Sequence, residues 1–389
     1  AAAAPARSES PAVAPARTVT ATFLEVSRRA PVRAVAFTPH GRLLAGGGEY
    51  DAVVLWDMES GQEIQKLPGN GGTTYAVAFS PDGARLASGG EAADAGDALV
   101  LSDPRSGKRL AHWGDEKRLQ GGAVRCLAFS PDGDQVAIGT GNPDNRLRLW
   151  DMEAASQESL LGGMVQADAI AALAFSPDGR TLAFGGGGVN GVQFWSLHSQ
   201  KSKHPWSMSA PVTALAYSPD GKRLAAADAR AVITIWDCFT GTIAREMRRS
   251  DPAHLAALTV SPDGRWLACA DGNGVSLWDH AAGALAVRFE GHTEEVQSVA
   301  FSPDGRLVAS GSLDGFIKVW SVAADEPAPA HEEPVSSPSG IFRRQPPAAS
   351  ADTVHFRCAC GAALRTGKQN AGKRTRCPHC GVPIAVPAE

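Results

Sequence analysis

Residues 296–320 read VQSVAFSPDGRLVASGSLDGFIKVW. Two short apolar runs, Val296 to Phe301 and Leu307 to Gly311, flank the tetrapeptide Ser302-Pro303-Asp304-Gly305, and a third run, Phe316 to Trp320, closes the stretch. Pro at the second position of a turn pre-sets φ, and Gly at the fourth accepts the left-handed conformation that follows a type I turn in a hairpin. Short runs bounded by Gly, Asp and Pro predict strands rather than helices. The stretch therefore reads as three successive strands, with Ser-Pro-Asp-Gly as the corner between the first two.

The same corner returns along the chain. FSPDG stands at Phe79 to Gly83, Phe129 to Gly133 and Phe175 to Gly179, and looser copies are FTPHG (Phe37 to Gly41), YSPDG (Tyr217 to Gly221) and VSPDG (Val260 to Gly264). Its prolines, 39, 81, 131, 177, 219, 262 and 303, are spaced 41 to 50 residues apart, a period that signals a repeat architecture. The third run ends in Trp56-Asp57, Trp150-Asp151, Trp236-Asp237 and Trp278-Asp279; Trp195-Ser196 and Trp320-Ser321 keep the Trp, and Ser102-Asp103 keeps the Asp. A polar turn and a fourth run follow, as in Gln62 to Leu67, Thr242 to Met247 and Ala284 to Phe289.

Four strands per unit and seven units resemble a WD-repeat β-propeller, whose blades carry a Gly-His…Trp-Asp signature. The resemblance covers residues 20–322 and implies an all-β, seven-bladed propeller. After Trp320 the chain supplies no fourth strand, whereas TATFLEV at 20–26 alternates like one. That segment is expected to complete the last blade and leave no open inner edge.

Composition excludes several classes. Among the 389 residues no run of 18 apolar residues occurs, so no membrane span is expected, and the Ala/Pro-rich opening lacks the basic-then-apolar order of a secretory signal. A cytoplasmic monomer is the expectation. The chain begins without Met, which is compatible with a piece of a longer protein. A net charge of −4 points neither to a nucleic-acid binder nor to a strongly acidic protein.

His292, Ser310 and Asp314 form a set that a hydrolase would use, a nucleophile beside an oriented base. The resemblance implies another role for them: the corresponding His, Ser, Asp and Trp, here His292, Ser310, Asp314 and Trp320, make a buried hydrogen-bond network that locks a blade. Buried polar groups must be paired, and a paired network stiffens what it links. The third unit keeps Thr140, Asp144 and Trp150 without the His, and the fourth to sixth have lost more, so packing is expected to hold them. Cys126, Cys238 and Cys269 lie in or beside strands, where a lone Cys is usually a small hydrophobe. No catalytic residue is assigned, and the protein is expected not to be an enzyme.

The resemblance also implies a binding rim, formed by the residue four before the aromatic or its equivalent in each first strand. By that count the ring is Arg33, Tyr75, Arg125, Ala171, Thr213, Ala256 and Gln297. Arg and Tyr often anchor interfaces, so Arg33, Tyr75, Arg125, Thr213 and Gln297 are the candidate partner-binding residues. The insertion carrying Glu91, Asp94 and Asp97 adds acidic groups nearby.

Residues 1–19 and 323–352 are rich in Pro, Ser, Ala and charge and read as a tail and a linker. Beyond them, residues 353–389 carry Cys358-Ala359-Cys360-Gly361 and, with 16 residues between Cys360 and Cys377, Cys377-Pro378-His379-Cys380-Gly381. Two thiol pairs can converge on one tetrahedral ion, and a segment this short normally needs a metal or disulfides to fold. It resembles a zinc ribbon, with one structural Zn²⁺ on Cys358, Cys360, Cys377 and Cys380. The segment holds six Lys or Arg (Arg357, Arg365, Lys368, Lys373, Arg374, Arg376) against Glu389 alone. The functional expectation is a protein-binding scaffold. The alternatives are a nucleic-acid-associated factor using the basic ribbon, or a hydrolase using Ser310 and His292.

Overall fold

The computed structural model describes residues 21–25, 30–91, 97–113, 122–152, 158–165, 168–248 and 254–322, with four further strands, Thr353–Arg357, Ala363–Gly367, Arg374–Arg376 and Pro383–Ala385. The expected tail, linker and four ribbon cysteines lie outside the described residues. The chain divides into two compact units, Ala1–Ala324 and Asp325–Glu389.

The first unit is a seven-bladed β-propeller. Seven four-stranded antiparallel sheets follow one another, six of them built from consecutive strands. Blade seven differs: Val296–Phe301, Leu307–Ser312 and Phe316–Ser321 form its inner three strands, and Ala21–Glu25 pairs antiparallel with the third as the outermost. Second strands are buried almost throughout, as in Leu86–Gly90, and outer strands are mostly exposed, as in Ile243–Arg248. Clusters of buried residues such as Ala268, Val275 and Phe289 with Val296, Val299 and Val308 join adjacent blades and bury the apolar faces.

The corner peptide recurs because each of its residues has a task. In blade seven Ser302 Oγ donates to Asp304 Oδ1 (2.5 Å) and accepts from the Leu307 amide (2.9 Å), while Asp304 Oδ1 also accepts from the Arg306 amide (3.1 Å). Gly305 takes φ +71°, in the left-handed region. The corners also touch around the ring: a Cβ placed on Gly83 would lie 3.4 Å from Pro39, and one on Gly41 would lie 3.3 Å from Pro303. The latter contact joins blade one to blade seven. The third-strand Asp has its own role, since Asp237 Oδ1 accepts from the amides of Phe239 (3.0 Å) and Thr240 (2.9 Å) and caps the following turn.

In the second unit, Thr353–Arg357 pairs antiparallel with Ala363–Gly367, and Arg374–Arg376 with Pro383–Ala385. No helix among the described residues is long and apolar enough to cross a membrane.

Candidate functional site

Each first strand runs from one face of the ring to its corner on the other. A residue near the start of that strand, four before the aromatic, therefore sits at the rim of the face opposite the corners. Four of the rim candidates touch in sequence. Arg33 Nη1 donates to Gln297 Oε1 at 3.4 Å, linking blades one and seven. The Arg33 guanidinium carbon lies 5.7 Å from the Tyr75 ring centre, and that of Arg125 lies 4.2 Å from it. One tyrosine thus stands between two guanidiniums, a cation–π arrangement across blades one to three.

Carboxylates occupy part of this arc. Arg33 Nη2 and Nε donate to Glu49 Oε1 at 2.5 and 3.1 Å, and the Tyr75 hydroxyl donates to Glu91 Oε2 at 3.3 Å. Gln297 Nε2 donates to Glu295 Oε2 at 3.4 Å. Arg33 is therefore already paired. Arg125 is exposed, and among the described residues its guanidinium has no carboxylate partner. Thr213 is half-buried, and its hydroxyl is buried with no partner among the described residues. Asp94 lies outside the described residues. Among the described residues, Arg125 is thus the rim guanidinium without a carboxylate, its guanidinium carbon resting over the Tyr75 ring.

The His292 set is assembled inside blade seven. His292 Nδ1 is 2.8 Å from Asp314 Oδ2, and His292 Nε2 is 2.8 Å from Ser310 Oγ, which accepts from Trp320 Nε1 at 2.8 Å. Because a carboxylate can only accept, the imidazole proton belongs on Nδ1 and Nε2 accepts from the serine hydroxyl. Asp314 also accepts from the Thr293 and Phe316 amides, both at 3.0 Å. Burial holds His292 below its ordinary pKa of 6.5, against the opposing pull of Asp314. Ser310 is completely buried and His292 is 4% exposed, so no acyl substrate reaches the hydroxyl while the blade is closed.

Other blades carry polar locks of their own, one of them at Thr140 and Asp144 and the rest at positions that the motif did not announce. In blade two Asn70 stands nine residues before Phe79, as His292 stands before Phe301; its side chain donates to the carbonyls of Ser88 (3.1 Å) and Asp97 (2.9 Å) and accepts from Thr74 Oγ1 (3.1 Å). In blade three Thr140 Oγ1 donates to Asp144 Oδ2 at 2.8 Å, and Arg148, which is 3% exposed, donates to the same carboxylate at 2.9 and 3.0 Å. Blades five and six contain Ser209–Asp228 and Ser276–Asp271 hydrogen bonds. Packing alone thus does not hold these blades. In blade four Phe184, fully buried, occupies the position of Ser310, and the Trp195 indole N–H has no partner among the described residues.

Among the described residues no group of three or more His, Cys, Asp or Glu is arranged to hold a metal. Cys269 is fully buried, and Cys126 and Cys238 are half-buried. Burial pushes the Cys126 thiol up to about 12 and that of Cys238 to about 11, which leaves both protonated and poorly nucleophilic.

Comparison with known proteins agrees with the blade pattern. The WD40 family model, described as WD domain, G-beta repeat, matches residues 20–57, 61–95, 115–151, 198–237, 246–279 and 283–321, more than half of the chain. The chain is 44% identical over 55 residues to Protein ROOT INITIATION DEFECTIVE 3 of Arabidopsis thaliana, covering 13% of each chain. It is 35% identical over 60 residues to Coronin-7 of Mus musculus, covering 15% of this chain and 6% of that protein. It is 26% identical over 156 residues to Protein groucho of Drosophila melanogaster, covering 38% of this chain and 21% of that protein. The aligned segments thus span about a fifth or less of these relatives' own lengths. On the family match and its seven four-stranded blades, the chain belongs to the WD40 family.

Proposed function

We propose that this chain is a non-enzymatic protein–protein interaction scaffold whose partner docks on the rim built from Arg33, Tyr75, Arg125 and Gln297. The observation that carries the reading is the Tyr75–Arg125 stack, an exposed guanidinium with no carboxylate partner among the described residues. A planar fork pre-oriented on an aromatic ring suits a carboxylate of an acidic or aromatic-bearing segment. Arg33 and Gln297 brace the stack, and Arg33 is shared with Glu49. WD40 propellers are typically non-catalytic, and burial of Ser310 supports the same reading here.

The second unit supplies a further contact as a zinc ribbon, in a monomeric cytoplasmic protein. Support comes from order along the chain: each cysteine pair falls between the two strands of an antiparallel hairpin, where paired thiolates can point at one ion. Cys358, Cys360, Cys377 and Cys380 would hold Zn²⁺, whose chemistry there is structural.

Affinity capture of the full chain from its native cell, with quantitative mass spectrometry, tests the rim. Arg125→Glu is expected to lower recovery of the main partner at least tenfold, and Arg85→Glu, beside a corner on the other face, to leave it unchanged. Equal recovery with Arg125→Glu would remove the rim from the account.

A further inference from the structure

In every blade the residue 16 after the rim position lies in the loop between the second and third strands, and its amide donates to the carbonyl two residues before the rim position. The bonds are Glu49 N to Pro31 O (3.0 Å), Glu91 N to Thr73 O (2.8 Å) and Gly141 N to Ala123 O (2.8 Å) in blades one to three, and Gly187, Ala229, Gly272 and Leu313 repeat them in the others. The seven positions are therefore equivalent, and their side chains can be compared directly. Blades one and two place a glutamate there, and each turns back onto its own rim residue: Glu49 Oε1 accepts from Arg33 Nη2 and Nε, and Glu91 Oε2 accepts from the Tyr75 hydroxyl. Blade three has Gly141 instead. A Cβ added to Gly141 would lie 3.0 Å from Arg125 Nε and 3.2 Å from Arg125 Cγ, so the arginine runs directly over this position. The Gly141 backbone is outside the left-handed region, so its conformation does not require glycine. The next residue, Asn142, donates from Nδ2 to Asp168 Oδ1 at 3.0 Å, and the Ala169 amide donates to the same oxygen at 2.7 Å, so that carboxylate is already hydrogen-bonded.

The Arg33–Glu49 pair shows how this rim holds a carboxylate: one oxygen is shared by Nε and Nη2 of the guanidinium, with charge-assisted hydrogen bonds from both. In blade three the Nε edge of Arg125 faces the equivalent position, where the chain supplies no acid. Resting on the proposed rim and deepening it, we infer that an aspartate or glutamate side chain of the partner docks on the Nε edge of Arg125 over Gly141, in the place that Glu49 takes at Arg33, and that Gly141 is the residue that keeps this place open. Blades one and two are satisfied from within; blade three takes its acid from outside. Glu49, Glu91 and Asp168 along the same arc favour a singly charged carboxylate over a phosphorylated side chain, whose second charge they would repel. Specificity at the rim is thus set by which blades lack their own glutamate, a choice made at a loop residue and not at the rim residues themselves.

The test uses the full chain isotope-labelled at its arginine side chains, with the Arg125 Nε–H resonance assigned by Arg125→Lys. The probes are Ac-Phe-Glu-Leu-NH₂, its glutamine analogue Ac-Phe-Gln-Leu-NH₂ and its phosphoserine analogue. The glutamate peptide is expected to shift the Arg125 resonance saturably and to bind about tenfold more tightly than the glutamine peptide. Gly141→Glu supplies an internal acid and is expected to weaken this binding about tenfold, while Gly141→Gln, of the same size without the charge, costs less than about threefold. Glu49→Gln, on an exposed loop that the substitution leaves intact, frees Arg33 as a second guanidinium and should tighten binding about threefold. The inference is overturned by no saturable shift, by equal binding of the glutamine peptide, by equal effects of Gly141→Glu and Gly141→Gln, by a Glu49→Gln protein that binds no more tightly, or by a phosphoserine peptide that binds more than about tenfold better than the glutamate peptide. Equal effects of the two Gly141 changes, with partner recovery still lost in Arg125→Glu, would keep the rim and remove only this pose. Unchanged recovery in Arg125→Glu would remove the rim itself.

Discussion

Blades seven and four solve the same problem with opposite chemistry. In blade seven the Trp320 indole N–H is satisfied by Ser310, and His292 and Asp314 extend the chain of hydrogen bonds to backbone amides. In blade four Phe184 replaces that serine, is fully buried, and leaves the Trp195 N–H without a partner among the described residues. Blade seven is assembled from segments nearly 300 residues apart in sequence, Ala21–Glu25 and Phe316–Ser321, so its pairing closes a long loop before any contact rewards it. A directional polar network specifies one arrangement at that seam. Blade four is made from consecutive strands, and apolar volume fills the position that Ser310 takes in blade seven.

The comparison breaks most visibly at the seam. Removing residues 20–26 takes away the outer strand of blade seven, and the propeller is expected to lose its single cooperative melting transition. An unchanged transition, equally sharp and at the same temperature, would mean that the strand does not close the ring.

Phe184→Ala tests the apolar side. A buried aromatic truncated to Ala costs about 3–5 kcal/mol, so this change should destabilise more than any single polar change in blade seven. His292→Ala removes one partner from a buried network and should cost about 1–3 kcal/mol without abolishing any reaction. Denaturant titration ranks the two; the reverse order would show that the polar network dominates. A hydrolase activity lost in both His292→Ala and Ser310→Ala would overturn the non-enzymatic reading.

A smaller effect follows from protonation. The folded state holds His292 below 6.5, so between that value and the folded pKa the unfolded chain binds the extra proton, and stability falls as pH drops through the window. Buried His280 shifts in the same direction for the same first cause. His292→Asn, which copies Asn70 of blade two, should flatten part of this slope and leave the His280 share. A slope identical to that of the parent protein would place His292 outside the linkage.

Much of the fold was legible because the Ser-Pro-Asp-Gly corner is local chemistry: a fixed φ at Pro, a left-handed Gly and a capping Asp are all written within five residues. The rim register was legible for the same reason, as a count along a strand. The pairing of Arg33 with Glu49 was not, since it joins residues 16 apart across a hairpin whose reach depends on rotamers. Asn70 shares with His292 the nine-residue spacing to the strand's aromatic and a preceding glycine, Gly69, but an Asn in place of the His hides it from the Gly-His signature.

The central claim is that a partner meets the face bearing Tyr75 and Arg125, and photo-crosslinking in the native cell tests it most directly. A photoreactive phenylalanine derivative would replace Tyr75 in one chain and Arg85, beside the opposite-face corner of the same blade, in another. Mass spectrometry should find one dominant partner crosslinked from position 75 and little or none of it from position 85. Dominant crosslinking from position 85, with none from position 75, would contradict the account.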